Sequence, residues 1–158
     1  MNSNYLKSLR IVHFALAMGI VLFLLIAIFL VNTNGAFSET ILSLTQRVPF
    51  LITLIVLTGA SFMAYRIIIP PKLELIKLLP TLERKLDAWR VLYILQGALI
   101  EAPAFFATVL FLLLGVPVLL LWPLAGIVIF WLTQPTREKL IRDANLSAAE
   151  TGEFDNLG

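Results

Sequence analysis

Residues 91–114 read VLYILQGALIEAPAFFATVLFLLL, and this stretch decides the fold. Apart from Gln96, Glu101 and Thr108 it is apolar. About 20 consecutive apolar residues suffice to cross a bilayer as an α-helix, so the stretch reads as a membrane span. Glu101 lies near its middle. An ionised side chain at that depth costs roughly 2.5–3.5 kcal/mol on insertion scales, and intramembrane carboxyls tend to be functional.

Working outward, three more apolar segments of spanning length appear. They are residues 11–31, interrupted only by His13; residues 48–69, with Arg66 near the end; and residues 116–132, with Pro117 and Pro123. The junction Leu114-Gly115-Val116-Pro117 reads as a tight turn between antiparallel helices. The expected fold class is all-α: a four-span transmembrane helical bundle with a cytoplasmic amphipathic loop helix. Residues 1–134 form one transmembrane domain, and residues 135–158 a short, partly helical cytoplasmic tail. Segment 11–31 exceeds the ~7–15 apolar residues of a signal peptide and lacks a prompt small-x-small cleavage site, so it reads as a span.

Composition agrees. The 158 residues are 59% hydrophobic and 14% charged, with a mean hydropathy of +0.94. Soluble domains carry about 45–50% apolar and 25% charged residues. Without cysteine, disulfides and thiolate chemistry are excluded, and a single histidine, His13, argues against a histidine-built metal site. No nucleophile elbow, HExxH helix or phosphate-binding glycine loop is present, so no enzyme is expected.

The cations are sorted. Lys7 and Arg10 precede the first segment. Arg66, Lys72, Lys77, Arg84, Lys85 and Arg90 separate the second from the third. Arg137, Lys139 and Arg142 follow the fourth, and only Arg47 falls on the other side. The positive-inside rule then puts both termini in the cytoplasm, consistent with a multi-pass protein of a bacterial inner membrane. Tyr65, Trp89, Tyr93 and Trp131 fall at the cytoplasmic interface, as an aromatic belt should. Topology accounts for the basic residues, so no nucleic-acid partner is expected.

Between the second and third segments, Leu75, Leu78, Leu79, Leu82, Leu86 and Trp89 recur at helical spacing, with a break near Pro80. One reading lays this amphipathic stretch in the headgroup layer, with Lys77, Arg84, Lys85 and Trp89 at the lipid interface. The other extends the third segment into the cytoplasm. After the fourth segment, Pro135 is placed to open a helix over residues 135–145. Ser147 and Glu150 have capping-box spacing, and residues 151–158 read as loose.

On a helical wheel Gly97, Ala104 and Thr108 share the face of Glu101, and small residues admit a close neighbour. The second segment offers Thr58, Gly59, Ala60, Ser61 and Ala64 at a matching depth. Thr58 or Ser61 is thus expected to donate to Glu101, making these three the candidate ion-binding residues. No lysine or arginine lies at that depth, which favours the neutral acid. The carboxyl is then either polar glue between helices or a reversible site for H⁺ or Na⁺. Pro103 removes a backbone donor two residues on, which suits an ion site or a simple kink. His13, about one turn inside the membrane, reads as interfacial, touching water or headgroups.

Residues 97–114, GALIEAPAFFATVLFLLL, preceded by an apolar helix with small residues and a basic loop, resemble the carboxylate helix of the rotary ATPase proteolipid, the c subunit. The resemblance covers segments two and three. It implies a carboxyl that carries H⁺ or Na⁺ around a membrane ring of identical subunits, and only Glu101 carries over. The four-segment layout also looks like that of small bacterial four-helix membrane proteins. The leading expectation is a homo-oligomer in membrane lipid, proteolipid-like, with Glu101 as the ion site and no other cofactor. The alternative is a structural or accessory membrane subunit in which Glu101 stabilises packing and the basic loop binds lipid or a partner.

Overall fold

The computed structural model describes residues 3–37 and 44–156, and these are all-helical, without strands. Helix α1 is Ser3–Asn34, α2 is Leu44–Lys77 and α3 is Leu82–Leu114. A 3₁₀ turn, Pro117–Leu120, leads into α4, Leu121–Leu132. Two short helices follow, α5 at Arg137–Ala144 and α6 at Ala148–Asn156.

Helices α1, α2 and α3 are long and apolar enough to cross a membrane. The fourth apolar segment is shorter than the others. Its turn and α4 together rise about 26 Å at standard helical pitches, a little under a ~30 Å hydrocarbon core. It meets the criterion for a span only together with α5, from which it is bent by 82°.

Helices α1 and α3 each end on a glycine in the left-handed region. Gly35, at φ 77°, closes α1 through its N–H to the carbonyl of Val31, 2.9 Å. Gly115, at φ 66°, closes α3 by donating to Phe111, 2.8 Å, and Pro117 then opens the 3₁₀ turn. The tight turn expected at residues 114–117 is therefore present.

Contacts along the helices fix their directions. Tyr5 meets Leu86, His13 meets Tyr93 and Phe23 meets Phe105, so α1 and α3 run parallel. Gly126 sits against Ala104 and Phe130 beside Gly97, so α4 returns antiparallel to α3. Helix α2 is antiparallel to α3 as well, with Ile76 level with Leu92 and Thr58 level with Pro103. Helix α3 is the hub that α1, α2 and α4 all pack against. The N-terminus, the α2–α3 turn and the tail consequently share one end of the molecule.

The core forms three layers. At the end shared by the termini, Leu9, Ile69, Ile76, Leu86, Trp89 and Leu92 join Leu140, Ala144, Leu146 and Phe154 of the tail. Ile20, Ala104 and Phe130 make the middle layer. Ala27, Leu54, Ala107, Leu110, Phe111, Leu114 and Leu119 fill the far end. Much of α2 stays uncovered: Ile52, Ile55, Val56, Phe62, Met63 and Ile67 are exposed, as suits a lipid-facing surface.

The separate amphipathic loop helix is not formed. Helix α2 runs on through Pro70 and Pro71 to Lys77, α3 begins at Leu82, and only residues 78–81 connect them. The amphipathic pattern is real but is shared by two helix extensions. Proline in a helix interior frees carbonyls four residues back, here those of Arg66 and Ile67. Both residues are exposed, so those carbonyls remain open to solvent or headgroups, while Ile69 and Ile76 hold the extension against α3.

The tail is also better ordered than its sequence implies. Pro135 precedes the helix rather than opening it. Thr136 is the N-cap, its hydroxyl accepting from the N–H of Lys139 at 3.2 Å. Ser147 and Glu150 form the reciprocal capping box, at 3.2 and 2.8 Å. Residues 151–156, read as loose, are helical, with Phe154 buried; residues 157 and 158 lie outside the described residues.

Candidate functional site

Glu101 lies at the level of the middle layer, on the flank of α3 that faces α1. Its Oε1 stands 3.8 Å from where a β-carbon on Gly19 would be, and Phe105 borders the same spot at 3.7 Å. Both are ordinary contact distances, so Gly19 marks the carboxyl's neighbour on α1 without being needed to make room for it. The residue is only half-buried, and among the described residues it makes no hydrogen bond or ion pair.

Thr58 and Ser61 do lie at this depth, but across the helix. They line a groove with Leu99 and Pro103 of α3. At 100° per residue Pro103 is turned about 200° from Glu101, so α2 packs on the side of α3 away from the carboxyl. The hydroxyl of Thr58 is already engaged: it donates to the carbonyl of Leu54 at 2.7 Å and accepts from the indole of Trp122 at 3.0 Å. The expected Glu101–Thr58–Ser61 cluster is therefore not assembled within one chain. The Leu99 carbonyl freed by Pro103 lies on the groove side too.

The small residues divide in the same way. Gly97 admits Leu16 and Phe130, a β-carbon there falling 3.2 Å from the Leu16 side chain. Ala104 abuts Gly126, with a projected 3.2 Å between β-carbons. Thr108 is buried, its hydroxyl turned back to the carbonyl of Ala104 at 2.9 Å. Gly97 and Ala104 do bring α1 and α4 close to α3. On α2 the cluster packs nothing closely: Gly59 and Ala60 are exposed, a β-carbon on Gly59 would meet nothing within 4 Å, and Ala64 is half-buried. Gly126 carries a close approach that sequence inspection missed. It is a lone glycine in an apolar run, and that is the only signal it gave.

His13 is not interfacial; it is buried and bonded. Its Nε2 donates to the carbonyl of Phe130 at 2.8 Å, and its Nδ1 stands 3.2 Å from the phenol oxygen of Tyr93. Tyr93 also donates to the carbonyl of Thr133. The ammonium of Lys139 sits over the Tyr93 ring, 5.2 Å from its centroid, and 3.5 Å from the same Thr133 carbonyl. The carbonyls that end α4 are thus satisfied in part by side chains from α1, α3 and α5.

At the shared end, two residues expected at the lipid interface lie inside the protein. Lys85 pairs with Glu150 at 2.7 Å, its side chain 7% exposed and that of Glu150 21%. Trp89 is 2% exposed, and its indole donates to Asp143 at 3.4 Å. The tail covers both, which explains their burial. Arg84 is exposed, and Lys77 pairs with Glu74 at 2.6 Å. Of the expected aromatic belt, Tyr65 and Trp131 are exposed, whereas Tyr93 is buried with Trp89. The Lys85 ammonium holds the carboxyl of Glu150 below the usual carboxylate range, helped by the N–H of Ser147. Arg137 does the same for Asp155 through paired bonds of 2.9 and 2.6 Å.

No family model, no curated protein and no solved structure matches this chain.

Proposed function

We propose that the chain is a four-pass membrane protein of a bacterial inner membrane, with both termini and the α2–α3 turn cytoplasmic. It assembles with copies of itself, and Glu101 takes up a proton in the interface. The observation that carries this reading is the carboxyl itself: half-buried, at mid-height in an apolar bundle, and without a polar partner among the described residues. A carboxyl facing lipid is costly, and a neighbouring subunit that covers it removes that cost. The positive-inside asymmetry supports the orientation, because the segments that bear the cations lie at one end. The antiparallel α2–α3 hairpin, with the acid on its second helix, keeps the proteolipid resemblance in play.

Proton uptake is favoured over Na⁺ because a hard cation needs several oxygen ligands. Thr58 and Ser61, the oxygens first assigned to this role, lie on the other side of α3. A second subunit would have to supply the rest.

Carbodiimide labelling in membranes tests the acid. The expected result is modification at Glu101 that declines as pH rises, is absent in Glu101→Gln, and is unaffected by Na⁺. Protection by Na⁺ would replace the proton with a cation. An unreactive Glu101, with native mass spectrometry giving a monomer, would sink the proposal and leave a helix-packing role in an accessory subunit.

A further inference from the structure

Between α2, α3 and α4 runs an open groove of about 550 Å³. Its walls are apolar and include Phe62, Leu99, Pro103, Leu121 and Ile129. Along α4 it extends from Trp122 to Thr133, about 16 Å at helical rise, so it is long and narrow. Its two ends differ. At the Trp122 end the indole bonds the Thr58 hydroxyl, joining α4 to α2. The Thr133 end carries two cations. The guanidinium of Arg66 lies over Phe62, a groove residue, 5.6 Å from the ring centroid. The ammonium of Lys139 lies 3.5 Å from the carbonyl of Thr133, another groove residue. Neither cation has a carboxylate partner among the described residues, and no acid lines the groove.

A narrow apolar channel with unpaired positive charge at one end matches an amphiphile with an anionic head. We propose that the groove binds an anionic bilayer phospholipid, with one acyl chain between α2, α3 and α4 and its phosphate held by Arg66 and Lys139. Charge complementarity selects the anion, and the apolar length selects a lipid over free phosphate. The groove lies among membrane-spanning segments, so its occupant comes from the bilayer. This assignment rests on the membrane reading but not on the role of Glu101.

Native mass spectrometry after incubation with equimolar phosphatidylglycerol and phosphatidylcholine tests it. The expected result is one retained phosphatidylglycerol per chain, at least tenfold over phosphatidylcholine. Ala125→Trp, which fills the groove from an exposed position on α4, should abolish retention. Arg66→Gln, an exposed change that leaves the core untouched, should keep the lipid but cut the preference several-fold. Equal retention of both lipids, full retention by Ala125→Trp, an unchanged preference in Arg66→Gln, or binding of inorganic phosphate instead would each overturn the assignment. Carbonate extraction separates the two levels: a chain released from membranes overturns the membrane reading as well, while a chain that stays but ignores lipid charge overturns the groove alone.

Discussion

The imidazole of His13 joins three elements, since it meets the last carbonyls of α4 and the Tyr93 phenol of α3 from its place on α1. Replacing it with phenylalanine keeps the ring contact with Phe130, now 5.0 Å between centroids, but leaves the Phe130 carbonyl only the longer bonds from the N–H and hydroxyl of Thr133, 3.3 and 3.5 Å. His13→Phe should therefore cost about 0.5–1.5 kcal/mol, the net worth of one hydrogen bond, read as a lowered unfolding midpoint in detergent. The bond is invisible in sequence because its partners are main-chain carbonyls 117 residues away. For Glu101 the sequence yields depth and the small-residue face. It does not yield the neighbour on its own flank, since a helical wheel ranks faces without saying which helix occupies each. The carboxyl's neighbour is Gly19 of α1, and Thr58 is committed to Trp122.

At the scale of elements, the apolar runs located the long helices, and the Gly115–Pro117 signal located the turn between α3 and α4. Gly115→Ala should cost about 1–2 kcal/mol from the left-handed backbone alone. The new methyl would also stand 2.9 Å from the β-carbon of Ala36, which adds to that loss. The α3–α4 contact is the more sensitive joint. Gly126→Leu forces a side chain into a gap where one β-carbon is already 3.2 Å from Ala104, and should destabilise by about 1–3 kcal/mol. Thermal unfolding followed by circular dichroism checks both. The Pro70–Pro71 pair was the natural place to end α2, and propensity favoured ending it there. Tertiary packing of Ile69 and Ile76 against α3 prevailed, and no local rule carries that information.

On the scale of the whole molecule, the Leu82, Leu86 and Trp89 part of the amphipathic stretch packs with α5 and α6, while Leu75 and Leu78 stay exposed. Sequence could not anticipate this, because Lys85 reads as a solvated cation until Glu150 is brought beside it. Glu150→Gln keeps an acceptor for the capping box but strands a nearly buried ammonium. It should cost about 3 kcal/mol and expose residues 137–156 to protease. Acid should act in the same direction. The folded-state carboxyls of Glu150 and Asp155 are held low, so their stabilisation is complete above the ~4.3 and ~3.9 of free glutamate and aspartate and is lost as pH falls through their lower folded values. Pepsin cleavage of the tail in detergent should accordingly appear only below about pH 4, and Lys85→Gln should move its onset upward.

The Lys85–Glu150 pair also constrains the order in which the chain can mature. Lys85 leaves the ribosome well before α6, so until Glu150 emerges its ammonium has no carboxylate beside it. A nascent or truncated chain ending before Ser147 keeps α1 to α5 but lacks Phe154, which shares a cluster with Leu82, Leu86 and Trp89, and leaves the Lys85 ammonium without its carboxylate, a defect that a quality-control protease can read. Helix α6 would then work as a seal, and pulse-labelled chains truncated at Asn145 should turn over faster than chains that carry it.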